Sequence, residues 1–273
     1  MKRINLIESY IKYILKNNDV KKYQNSSKYL FYHYLKYWAP QKTFYFVLSE
    51  KEIKKRVKMA LDITARIENN FNIFNINLDK IDIIFFVGKN TSNGHSFLWK
   101  NRAIVWIPLE TYKNKLQLEI FITHEIIHAI HYLKNKDFYF SNEKQKNSIS
   151  RQLITEGIAT FLTSAIMGVD DRKSLWADYI TKNDYKKWIN NCNKFRKNIS
   201  KLAIKNFNSN TDNIGIFYFK TLNDIYNNRS GYFLGLEIIK WFCAKNNINF
   251  LKIIKVPKRI LEKEALIYLK NNL

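Results

Sequence analysis

Three of the five histidines fall within eight residues, in the run Phe121-Ile122-Thr123-His124-Glu125-Ile126-Ile127-His128-Ala129-Ile130-His131. The run holds His-Glu-x-x-His on a segment whose apolar residues keep helical period. Histidines at i and i+4 lie on one helix face about a turn apart, so both imidazoles can reach a single metal ion. Glu125 sits beside the first of them, where its carboxylate can take a proton from a water on that ion. A catalytic zinc of this kind needs a third protein ligand and one open position. His131 is nearest in sequence, but three ligands on successive turns of one straight helix would span ~10 Å at 1.5 Å per residue. His131 therefore reads as a residue behind the ligands, a substrate-facing residue or a partly buried structural histidine.

A better third ligand lies downstream in Leu153-Ile154-Thr155-Glu156-Gly157-Ile158-Ala159-Thr160-Phe161-Leu162. Glu156 is a lone carboxylate in an otherwise apolar helical run, and burying it requires something to offset its desolvation. A metal ion would do so; the alternative is a glutamate exposed on the helix edge. Gly157 costs about 1 kcal/mol relative to Ala inside a helix. Its presence in a chain with only seven glycines predicts a close helix–helix approach.

These residues need elements to place them. Residues 1–80 read as helices: Ile4 to Leu15, Ser26 to Trp38, and Ser49 to Asn69 with Ser49 as N-cap, Pro40 separating the last two. From Ile81 the pattern turns to strands, Ile81–Val87, Ser96–Trp99 and Ala103–Ile107, with a polar loop from Lys89 to Gly94. Helical period returns over Leu116–Leu133, Ile149–Met167, Asp184–Lys205, Tyr232–Lys245 and Leu251–Asn271. The expectation is an α+β, mostly helical fold with one small mixed sheet. It has an N-terminal helical region over 1–80 and a catalytic region over 81–273, joined in one two-lobed unit.

Composition narrows the class of function. A chain of 273 residues, 46% hydrophobic and 25% charged, suits a globular protein rather than a disordered or coiled-coil one. No apolar run approaches the ~18–20 residues of a membrane span. Glu8 and Lys12 break what would have to be a signal core, so the expected location is the cytoplasm, or outside the cell by a signal-independent export route. Cys192 and Cys243 cannot make a four-thiolate zinc site and read as buried or half-buried free thiols. The net charge of +23 would suit an anionic partner, yet the basic stretches 51–58, 186–201 and 252–263 carry apolar residues at helical spacing. They read as solvated helix faces, and no specific nucleic-acid partner is expected.

A His-Glu-x-x-His helix followed by a helix bearing Glu156-Gly157-x-Ala159 resembles the gluzincin class of zinc metallopeptidases, especially bacterial families of predicted zinc-dependent proteases. Ser230-Gly231-Tyr232-Phe233-Leu234-Gly235, opening a helix, is a third similarity. The resemblance covers about residues 81–245. It implies a zincin-like fold, Zn2+ as cofactor, His124, His128 and Glu156 as ligands, and Glu125 as general base. It also implies a protein or peptide substrate held along a sheet edge, here the Gly94–Ile107 stretch; a basic cleft would favour acidic peptides. Thr160 stands where thermolysin-like members place an acid, which leaves Asp170, Asp171 and backbone carbonyls as candidate partners of the histidines. Tyr232 is the candidate donor to the oxyanion, with Arg229 and His95 as alternatives. Two rival readings are a zincin scaffold that binds without turnover, and a basic nucleic-acid-associated protein whose motif is accidental.

Overall fold

The computed structural model describes residues 1–39, 45–209, 215–217 and 228–273. Pro40, expected to separate two helices, lies outside the described residues. The fold is α+β, mostly helical with one small mixed sheet. The chain divides into two compact units, Met1–Ala129 and Ile130–Leu273. Among the described residues no helix is long and apolar enough to cross a membrane.

The first unit carries the sheet. Its elements are β1 (Lys2–Asn5), α1 (Ile7–Tyr10, continued by a π-helical stretch Ile11–Leu15), α2 (Val20–Asn25), α3 (Lys28–Tyr37), α4 (Glu50–Ile73), β2 (Ile81–Phe86), β3 (His95–Trp99), β4 (Arg102–Pro108) and α5 (Lys115–Lys134). The division between the units falls within α5. Strand order is β1-β2-β4-β3, with β1, β2 and β4 parallel and β3 antiparallel to β4. β2 is buried at every position, as a central strand covered on both faces must be. α4 starts where the sequence places its cap, Ser49 accepting from the Glu52 amide at 3.2 Å.

Residues 2–5 depart from expectation: they form a strand, not the start of a helix. Lys2-Arg3-Ile4-Asn5 has no apolar alternation to mark it. It is held from elsewhere, by pairing with Asp82–Phe85 and by Arg3 and the Met1 amino group meeting Glu68. β4 also differs from its expected place at a sheet edge, since it lies between β2 and β3. Of the two strands in that stretch only β3 ends the sheet, opposite β1 at the other end, because β4 continues the parallel order of β2.

The second unit is helical, with α6 (Glu143–Lys146), α7 (Ile149–Met167), α8 (Asp171–Trp176), α9 (Lys182–Lys194), α10 (Arg196–Lys205), α11 (Ser230–Lys245) and α12 (Lys258–Asn271). Its core gathers Leu153 from α7, Trp188 and Cys192 from α9, Leu234 and Ile238 from α11 and Leu269 from α12. The expected single helix over 184–205 is broken at Phe195, whose backbone (φ −102°, ψ 13°) leaves the helical region. The expected helix from Leu251 is a 3-10 stretch to Lys255 followed by α12. Pro257 explains that break: it has no N–H to continue the ladder and sits where a new helix can start.

α7 and α11 cross in near-backbone contact. A Cβ built on Gly157 would lie 2.3 Å from the Gly235 carbonyl oxygen, and one on Gly235 would lie 2.4 Å from that of Leu153. Only glycine at both positions permits this approach, which bears out the reading of Gly157.

Candidate metal centre

The helix bearing His124 and His128 is fastened at its start. Arg56 of α4 donates through Nη1 to the carbonyls of Leu109 (2.7 Å), Glu110 (3.1 Å) and Tyr112 (3.0 Å), fixing the turn after β4. Asn114 then accepts from the Gln117 amide at 2.9 Å, while the Gln117 side chain accepts from the Lys113 amide at 3.0 Å. This reciprocal pair satisfies amides that a helix start leaves unpaired. Beyond it α5 is apolar on most sides, burying Leu118, Ile120, Ile122, Ile126 and Ile127. A helix of that composition belongs inside a core, so its polar side chains sit in a low-dielectric setting.

On this helix the two imidazoles converge. His124 Nε2 and His128 Nε2 are 3.1 Å apart, with ring centroids at 4.7 Å and planes at 78°. Two nitrogens bound to one tetrahedral zinc at ~2.05 Å would be separated by about 3.3 Å, so the pair, already within hydrogen-bond distance, is close to the spacing at which both could hold one zinc ion. His124 is half-buried, whereas His128 is 3% exposed. One donor atom each from His124, Glu125 and His128 lie within 4.8 Å of one another. The donor set, two imidazoles with a carboxylate beside them, suits zinc among divalent ions.

Glu125 is 7% exposed, and β3 reaches it from the sheet. The Ser96 hydroxyl lies 3.0 Å from Glu125 Oε2 and 2.5 Å from the Glu125 main-chain oxygen. Gly94, just before the strand, adopts φ +145° and passes the stem of Glu125: a Cβ there would come within 3.4 Å of Glu125 Cγ and 3.2 Å of the Trp106 carbonyl oxygen. Alternation along β3 sends its other side chains to the opposite face. There His95 packs on His33 and Trp38, Phe97 on His33, and Trp99 on Tyr29, so His95 points away from Glu125. Trp99 at the end of the edge strand is 43% exposed.

The loop from β2 to β3 is pinned by a buried carboxylate. Glu110 accepts from the Gly88 amide at 3.0 Å and from the Asn90 amide at 3.1 Å. Burial pushes the Glu110 carboxyl above its ordinary value, against the opposing pull of those amides and of Arg56.

The other expected residues belong to the second unit. His131 is fully buried, its ring 4.6 Å from Phe138 and 6.1 Å from Tyr132, which fits the structural reading of that histidine. Glu156 is half-buried on α7, in the turn that carries the glycine crossing. Tyr232 lies in the first turn of α11, half-buried, with the Arg229 guanidinium 3.9 Å above its ring and Phe217 edge-on at 5.7 Å. Arg229 also donates to the Leu175 carbonyl at 2.7 Å. Asp170 accepts from the Lys173 amide as the cap of α8, and Asp171 pairs with Lys240. Cys192 and Cys243 are free thiols, both raised by burial, Cys243 to about 11.

Gly94 and Ser96 are legible in the sequence only as part of the expected substrate edge, and Arg56 and Asn114 not at all. Only Gly94 carried a signal of its own, as one of seven glycines opening a strand; the others act through contacts distant in sequence. A family model described as predicted Zn-dependent protease (DUF2268) matches residues 49–262, well over half of the chain. No curated protein and no solved structure matches. The matched span includes α5 with its paired histidines and α7 with Glu156, and the chain belongs to this family of predicted Zn-dependent proteases.

Proposed function

We propose that the protein is a zinc-dependent metallopeptidase of gluzincin type, with His124, His128 and Glu156 as its protein ligands and Glu125 as general base. The observation that carries this reading is the 3.1 Å convergence of the two Nε2 atoms with a buried carboxylate beside them. Bound zinc would supply Lewis acidity, polarising the scissile carbonyl and acidifying the attacking water. Glu125 takes the proton of that water on a carboxylate oxygen and passes it to the nitrogen of the departing amine. β3 is an end strand of the sheet among the described residues, and an outer edge of that kind offers main-chain donors and acceptors to an extended peptide, which supports a protein or peptide substrate added as a further strand. Tyr232 donates its hydroxyl to the charge developing on the carbonyl oxygen, a role a neutral phenol can fill without adding charge of its own.

New peptide termini after incubation with a proteome-derived peptide mixture test the reading. Wild type should generate new termini, and Glu125→Gln should lower the rate by about 10²–10⁴-fold while keeping zinc and melting temperature. Activity within about tenfold of wild type in that variant would contradict the mechanism. In the same assay Tyr232→Phe should cut kcat by about 10²-fold with zinc retained. An unchanged kcat would return that ring to plain packing beneath Arg229.

A further inference from the structure

Ser96 is fully buried at the second position of β3, the strand that forms the sheet edge. Its hydroxyl has one proton and two nearby acceptors, both on Glu125: the main-chain oxygen at 2.5 Å and Oε2 at 3.0 Å. A hydroxyl so placed ties the carboxylate to the peptide group of the same residue. That closes a small ring and restrains the three side-chain torsions that a glutamate would otherwise sample. Gly94 lies beside the same side chain from two residues upstream, where an added Cβ would stand 3.4 Å from Glu125 Cγ. The head of Glu125 is thus bound by a residue of the strand, and its stem lies beside the glycine just before it.

The strand side of this contact matters as much as the helix side. β3 is fixed along Trp99–His95 by its register with Arg102–Trp106 of β4. Its outward face is anchored separately, through His95, Phe97 and Trp99 against α3. Ser96 therefore holds Glu125 to a rigid element rather than to a loop, which is what placing a reacting group to within a fraction of an ångström requires.

We infer that Ser96 is a positioning residue, whose hydroxyl fixes the Glu125 carboxylate to the edge strand so that the base and a peptide laid on that strand share one frame. This inference rests on the metallopeptidase reading above. A Ser96 that merely filled the strand–helix contact would affect folding but not the balance between kcat and KM.

The test uses the zinc-loaded full chain with Ser96→Ala, Ser96→Cys and Ser96→Thr. Ser96→Ala should lower kcat by about 10–100-fold with KM within about twofold of wild type and zinc content unchanged, because the base remains but loses its tie to the strand. Ser96→Cys keeps the volume with only a weak donor and should fall near Ser96→Ala. Ser96→Thr keeps the hydroxyl and should recover kcat to within about threefold of wild type. Should its added methyl prevent folding at this buried position, the Ala and Cys pair decides the matter. A second readout needs no turnover. In metal-free protein, Ser96→Ala should lower the denaturation midpoint more in the wild-type background than in Glu125→Ala. Wild-type kcat in both Ser96→Ala and Ser96→Cys, or equal midpoint shifts in the two backgrounds, would overturn the inference. A wild type that cleaves nothing overturns the metallopeptidase reading itself, and the role of Ser96 falls with it.

Discussion

At the scale of single residues, the chemistry rests on a spacing that the helix converts into geometry. An i, i+4 pair needs no tertiary information to converge, which is why His124 and His128 could be named from the sequence and stand 3.1 Å apart. The same rule separates His131 from them: it lies a further turn along and packs on Phe138. Metal affinity should follow that difference. Glu156→Ala removes one of three proposed protein ligands and should weaken zinc binding by at least about 10²-fold, whereas His131→Ala should change it by less than about tenfold. Competition with a chromogenic chelator measures both. A protein emptied by His131→Ala but not by Glu156→Ala would require a different ligand set. Ser96 shows the limit of reading residues singly, since a serine inside a strand has no feature of sequence that points to a glutamate 29 positions away.

At the scale of elements, local signals placed what local chemistry determines. The helix over Ile149–Met167, the start of α4 at Ser49 and the three strands from Ile81 were legible from period and caps. β1 was not, because its strand character comes from pairing with β2. The break at Phe195 carries no glycine or proline, and its neighbour Arg196 is drawn to Tyr268 and Glu237, contacts that no sequence window contains. The glycine crossing is the element contact that sequence did anticipate, and it makes a sharp prediction. Gly157→Ala forces a methyl group to within 2.3 Å of a backbone oxygen that cannot rotate away. It should cost about 2–3 kcal/mol and lower Tm by roughly 5–10 °C. Calorimetry checks this; an unchanged Tm would mean that the two helices can separate at little cost.

The loop leading to β3 offers a pH test. The Glu110 carboxyl is raised above its ordinary 4.5, chiefly by burial. A group raised on folding contributes stability that is present below its ordinary value and lost as pH rises through its folded value. Relative to Glu110→Gln, wild type should therefore lose stability as pH climbs from about 4.5 towards neutrality, read from denaturant midpoints at a series of pH values. A wild type that gains on the variant over that range would show that the Gly88 and Asn90 amides outweigh desolvation.

At the scale of the whole molecule, the two units have distinct makeups, one built on the mixed sheet and one on helices, and the family match runs through both. The charge of +23 is not drawn into one motif. Ion pairs such as Lys54 with Glu50, Arg66 with Glu119 and Lys245 with Glu264 spread along helix faces and contribute little each. The clustered donors among the described residues, His124, Glu125 and His128, are nitrogen and oxygen atoms, and two cysteines cannot make a four-thiolate zinc site. Zinc content by elemental analysis, on protein purified without added metal, is the sharpest test of the metal centre. Wild type should carry about one zinc per chain, and the His124→Ala/His128→Ala variant, folded by circular dichroism, should carry less than about a tenth of that. A wild type without zinc, or a double variant that keeps it, would contradict the account.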